Sequence, residues 1–192
     1  MERTHNKGNS LTTRQGREEG IRRLMSINLL KRLESSVSSF RLTLEHIDKL
    51  IADTIAASQN YQTGGQVLEL DDLSAAEDWD ADDQNTDFFT VGRKIKIDLA
   101  DMDYLTWLRD LQSDAETLQL LLFMVAGITP AHDSKLRQLL DLIDQKITHP
   151  INPGNKKIII FTAFSDTADY LYQYVSQYAK DKYNLNTAEV TG

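Results

Sequence analysis

From Ile21 to Ile55 apolar residues recur every three or four positions: Ile21, Met25, Leu29, Leu33, Val37, Phe40, Leu44, Ile47, Ile51 and Ile55. Steps of that size return side chains to one face of an α-helix. No proline or glycine lies between Gly20 and Gly64, so the spacing predicts one long helix over 17–62. At 1.5 Å per residue such a rod is roughly 70 Å long, whereas a globule of this chain length has a radius of gyration of about 16 Å. The helix must therefore protrude, bend or pack against something large. Its mean step is slightly above 3.6, which disfavours a regular left-handed coiled coil. A strut accounts for the stripe better than a dimerisation zipper.

Residues 1–16 form a polar arm without the apolar core of a signal peptide. After the helix, Thr63-Gly64-Gly65 supplies a left-handed stop. From Glu69 to Asp87 there are nine acids and no Lys or Arg. Mutual repulsion favours a flexible connector, one that limited proteolysis should cut first. The run lacks the Asp-x-Asp-x-Asp-Gly spacing of a calcium loop, which argues against a metal site. Val91 to Ile97 alternates apolar and basic residues, as a short strand or extended arm does. It closes the connector over 63–97.

A helical region is expected over 98–149. Asp98, Asp101 and Asp103 offer N-caps to a helix holding Leu105, Leu108 and Leu111. Leu118 to Val125 is apolar nearly all round, which predicts burial. Thr129-Pro130 is a capping hydroxyl followed by proline, and predicts a fresh helix carrying Leu136, Leu139, Leu140 and Ile143.

The section over 150–192 changes character. Asn152-Pro153-Gly154-Asn155 is a turn. Ile158 to Phe161 is a β-branched run without alternation, as in a strand buried on both faces of a parallel sheet. Ser165 or Asp166 can cap a helix whose inward stripe is Ala168, Leu171, Tyr172, Val175 and Ala179, and Thr187 to Thr191 follows as a second strand. The expected fold class is thus mostly α with an α/β tail: long helix, helical bundle, then one βαβ unit. One unit is the start of a sheet rather than a whole one. An unpaired strand edge, and self-association through it or through the long helix's stripe, are expected.

A net charge of −8 argues against a free-standing nucleic-acid binder, although residues 1–50 carry a basic excess. With no cysteine, thiolate metal sites, disulfides and cysteine nucleophiles are excluded. The longest apolar run, Leu118 to Ile128, is short of the ~20 residues a membrane span needs. A cytoplasmic location without membrane contact is expected.

Two stretches resemble superfamily 2 helicases, specifically bacterial motors of the Swi/Snf-like group. One is Lys156 to Gly192, KKIIIFTAFSDTADYLYQYV…AEVTG, preceded by AHDSKLRQLLDLI. It is similar to the opening of the second RecA-like lobe and the helix that leads into it. The other is Leu24 to Leu44, LMSINLLKRLESSVSSFRLTL, similar to a segment between the two lobes. Together they cover about a third of the chain and occur in the family's order. The resemblance implies a parent protein that uses ATP and Mg²⁺ to move along nucleic acid, with DNA as the expected track and the other motor lobe as a partner. It also implies that the carboxyl end of the first strand, Thr162, Phe164 and Ser165, faces the nucleic acid. Hydroxyls and amides at a helix N-terminus can bind phosphate without reading sequence. A simple capping role for Ser165 is equally compatible with its position.

The catalytic parts of such a motor are missing from these residues. There is no Gly-x-x-x-x-Gly-Lys-Ser/Thr, no Asp-Glu pair, and no arginine after Arg137. No catalytic residue, cofactor site or metal site is therefore assigned. His5, His46, His132 and His149 lack metal-ligand spacing. Tyr170, Tyr174 and Tyr178 share a helix flank, which suits packing better than base stacking. The basic residues of the long helix, Arg14, Arg17, Arg22, Arg23, Lys31, Arg32 and Arg41, read as a solvated face with phosphate tracking as the lesser use. The rival reading is a helical protein-interaction module with a small α/β docking tail. A third is an unrelated α/β domain with a helical arm. A Walker A motif upstream in the gene and an arginine-rich motif downstream would decide for the motor.

Overall fold

The apolar stripe does produce helix, but in two pieces. A computed structural model of the chain describes residues 14–62, 68–69, 96–97 and 103–191. Helix α1 spans Arg14–Ser35 and α2 spans Val37–Gln62. Ser36 interrupts what the spacing predicts as one rod. Its hydroxyl accepts from the Ser39 backbone N–H at 3.0 Å, the bond of an N-cap. The ladder continues across the break, Ser36 N–H donating to Arg32 O at 2.9 Å and Phe40 N–H to Ser36 O at 3.1 Å. A serine hydroxyl that competes for backbone partners is a recognised cause of such an interruption.

A short antiparallel pairing joins β1, Leu68–Glu69, to β2, Lys96–Ile97, with Leu68 opposite Ile97. The rest of the acidic connector, the arm over 1–13 and the predicted glycine stop lie outside the described residues. Helix α3, Tyr104–Ala126, begins where Asp103 accepts from the Thr106 N–H at 3.2 Å. Helix α4, Ser134–Thr148, is capped by Asp133, which accepts from Lys135 and Leu136 at 2.9 and 3.0 Å. Thr129-Pro130 thus opens a turn, not the helix itself, because Asp133 offers a charged acceptor nearer the apolar stripe. Helix α5 spans Ser165–Tyr183. It ends on Asn184 at φ 52°, where Leu185 N–H reaches back to Ala179 O at 3.1 Å. That closure folds Leu185 onto the core.

Two apolar clusters result. Leu44, Leu118 and Val125 join α2 to α3, with Leu29, Val37, Phe40, Ile47, Ile51 and Leu122 packed around them. Leu136, Ile143, Ile147 and Val175 join α4 to α5, flanked by Leu139, Leu140, Leu171 and Leu185. Polar contacts run between the clusters: Lys135 Nζ donates to the Glu34 carbonyl, and α1 meets the start of α5 as described below. Helix α2 also buries hydroxyls at helical spacing, and each is satisfied one turn back. Thr43 donates to Ser39 O at 3.0 Å, Thr54 to Leu50 O at 2.7 Å and Ser58 to Thr54 O at 2.8 Å.

The tail corrects the expected fold class. Residues 156–161 and 187–191 carry no ladder, so there is no parallel sheet and no βαβ unit among the described residues. The described chain is helical apart from the two-residue pairing. A parallel strand needs a neighbour along its edge and cover on both faces. Neither reaches this one, since Ile159 is 78% exposed, Phe161 89% and Val190 92%. The burial expected around Leu118 to Val125 is also one-sided. Leu118 and Val125 are buried, but Leu120, Phe123 and Met124 face outward. No helix among the described residues is long and apolar enough to cross a membrane.

Candidate nucleic-acid interface

Thr162, Phe164 and Ser165 lie together where the extended segment turns into α5. Thr162 Oγ1 donates to Phe164 O at 2.5 Å and accepts from Phe164 N–H at 3.2 Å, so its hydroxyl holds the turn closed. Phe164 occupies the N-cap position in extended conformation and makes no side-chain capping bond. Its ring is buried. Ser165 is the first helical residue and half-buried, one position inside its expected cap. Helix termini leave backbone N–H groups without partners in the helix itself, and Asp166 places a carboxylate in the first turn.

That carboxylate is committed elsewhere. Asp166 Oδ2 accepts from Arg32 Nη1 at 2.7 Å, and the same Nη1 lies 3.2 Å from Ser39 Oγ. The Arg32 guanidinium lies over the Phe164 ring, 4.8 Å from its centroid. Ser35 and Ser36 bond to the Thr167 hydroxyl at 2.8 and 3.1 Å. Arg32 is 4% exposed and Thr167 is buried. So α1, the Ser36 interruption and the start of α5 form one polar joint between segments more than 130 residues apart. Arg32 is therefore not part of a solvated basic face. Arg23 and Arg41 are, with weak pairs to Glu19 and Glu45 at 3.9 and 3.8 Å.

Beside the joint is an open groove of about 590 Å³, bounded by Asn28, Lys31 and Glu34 on α1 and by Phe161 to Phe164 across from them. Comparison with family models, curated proteins and solved structures gives no match. The site's chemistry has to be read from its own groups. The groove offers hydrogen-bonding groups on one wall and aromatic or aliphatic surface on the other, and suits binding rather than bond-making. No group of three or more His, Asp or Glu residues that could hold a metal comes together among the described residues.

The tyrosines do not form a stacking platform. Tyr170 OH donates to Asp133 Oδ2 at 2.9 Å, and burial followed by that bond pushes the phenol's pKa well up. Tyr178 OH donates to both oxygens of Asp144 at 2.9 and 2.8 Å, Tyr183 OH at 2.8 Å and Lys182 Nζ at 2.5 Å. The Lys182 bond first, with the two phenols, holds the Asp144 carboxyl below its ordinary value. Asp144 is thereby the clasp between α4 and α5. His132 and His149 make local bonds to Thr129 and Thr148.

Sequence reasoning named Thr162, Phe164 and Ser165, and Lys31 only as part of a basic helix face; it gave no place to Asn28 on the facing wall. The signal available was the polar Asn28 one turn from Arg32 inside an apolar stripe.

Proposed function

We propose that the chain is a segment of an ATP-dependent nucleic-acid helicase or translocase of the Swi/Snf-like group. It would supply the helices that connect two motor lobes and one edge of the nucleic-acid track at Thr162, Phe164 and Ser165. ATP, Mg²⁺ and the second lobe belong to the parent protein. DNA is the expected track. What supports this reading is the joint: the two stretches that resemble the motor family, Leu24 to Leu44 and Lys156 to Gly192, meet through Arg32–Asp166 and Ser35–Thr167. Such a contact makes mechanical sense if the helices between the lobes must follow movement of the second lobe.

The test is ATP turnover by the whole gene product with and without DNA. Turnover should rise when DNA is added, and Ser165→Ala should raise the DNA concentration needed for half of that rise. Turnover indifferent to nucleic acid, or a gene that encodes no Walker A motif, removes the reading. A helical interaction module is the second reading, favoured by the outward row Leu120, Phe123 and Met124 on α3. It gains ground if Phe123→Glu converts an associating chain to a monomer in sedimentation experiments.

A further inference from the structure

We propose that the outward face at the end of α3 takes a second copy of this chain, the two α3 helices crossing antiparallel about a twofold axis with Phe123 of each seated on Gly127 of the other. The proposal is independent of the motor reading. It rests on the second reading above, the interaction module, and names its partner.

The face lies opposite the contact that holds α3 in the fold. Leu118 and Val125 are buried with Leu44 against α2. On the other side, at steps of three and four residues, stand Leu120, Phe123, Met124 and Gly127. Leu120, Phe123 and Met124 are 59, 80 and 64% exposed, and the flanking Leu121 and Ile128 39% each. With roughly 150–200 Å² for a whole side chain of this size, the open apolar surface comes to about 500 Å². A soluble monomer rarely leaves more than about 300–600 Å² in one apolar patch. Two such faces together hide about 1,000 Å², the area at which a specific interface begins.

Charge and shape name the occupant. No Asp, Glu, Lys or Arg lies between Glu116 and Asp133. A partner selected by opposite charge finds nothing to read here, while two chains of net charge −8 meet with least repulsion at an uncharged surface. Shape then decides. Phe123 stands out from the helix, and four residues on Gly127 leaves a gap, because a Cβ placed there would have nothing within 4 Å. An antiparallel pairing centred between the two sets each Phe123 against the other copy's Gly127, so one surface supplies both the knob and the hole. Such a contact is isologous and closes at two copies. Its modest area implies a weak association rather than an obligate one.

The experiment is sedimentation equilibrium of the 192-residue chain over about 1 to 500 μM. A monomer–dimer equilibrium is expected, and it should tighten as salt is added, since screening relieves the repulsion of the two net charges. Phe123→Glu, at a side chain that already lies mostly in water, puts a charge into the contact and should weaken dimerisation about thirtyfold or more. Gly127→Gln fills the gap and should weaken it by a similar factor. At φ −74° with open space around it, Gly127 accepts that side chain within a single copy, and an unchanged melting temperature of the dilute protein checks this. Ile159→Lys, on the exposed tail segment, should leave the dimer as it is. A chain that stays monomeric over the whole range overturns the proposal and leaves the interaction module with a different protein as its partner. A dimer that persists in both Phe123→Glu and Gly127→Gln, or that Ile159→Lys dissolves, also overturns it and moves the association to another surface.

Discussion

Arg32 and Asp166 are unequal partners. Arg32 is 4% exposed and Asp166 28%, so losing the acid strands a buried guanidinium, whereas losing the arginine leaves an acid that water can still reach. Asp166→Ala should therefore cost about 3 kcal/mol. The double change Arg32→Met with Asp166→Ala should cost markedly less, and urea titrations of the single and double variants decide it. A second residue-scale outcome concerns Asp144, whose carboxyl lies below its ordinary pKa through the bond from Lys182 and then those from Tyr183 and Tyr178. A depressed value means the folded state holds the proton less tightly than the unfolded one. The contribution is full above the ordinary carboxylate range and disappears as pH falls through the depressed value. Asp144→Asn should lower the melting temperature at pH 7, and the gap to the parent chain should close as the medium is acidified below about pH 4.

Among the elements, Ser36 governs how α1 meets α2. Its hydroxyl caps α2 and bonds Thr167, so Ser36→Ala should cost about 1 kcal/mol, read from chemical denaturation. The period of the apolar residues was enough to place helix over α1 and α2, and Asp103 with the leucines after it was enough for the start of α3, whereas α4 was expected to open at Thr129-Pro130 and is capped by Asp133 instead. The break between α1 and α2 was harder to see. A serine inside a helical stripe looks merely neutral until its hydroxyl has a cap to make and a threonine from α5 to meet. The strand at Ile158 to Phe161 failed for a different reason. An apolar β-branched run states what the segment would bury, while the ladder depends on neighbours that the run itself does not encode. Thr162, Phe164 and Ser165 were expected at the end of a strand, and they lie instead where an unladdered segment enters α5. Asn28 was not found because helix periodicity ranks residues by apolarity and overlooks a buried amide.

At the scale of the whole molecule, the missing phosphate loop has a direct outcome. The purified chain should hydrolyse no ATP above background, with or without DNA, and a coupled phosphate-release assay checks it. Turnover abolished by a substitution within these residues would contradict that expectation. The division of the core has a thermal counterpart. The cluster around Leu44 and the cluster around Leu136 are separate, and the Arg32–Asp166 pair, the serine–threonine bonds and the Lys135 contact run between them. Apolar packing within each half lends all-or-none character to that half, and the halves are coupled by these hydrogen bonds, one ion pair and a smaller contact of α2 with α5 than α2 makes with α1 and α3. Scanning calorimetry should then give a van't Hoff enthalpy smaller than the calorimetric one. Asp166→Ala should separate the endotherm into two, so that one half of the protein melts while the other remains folded.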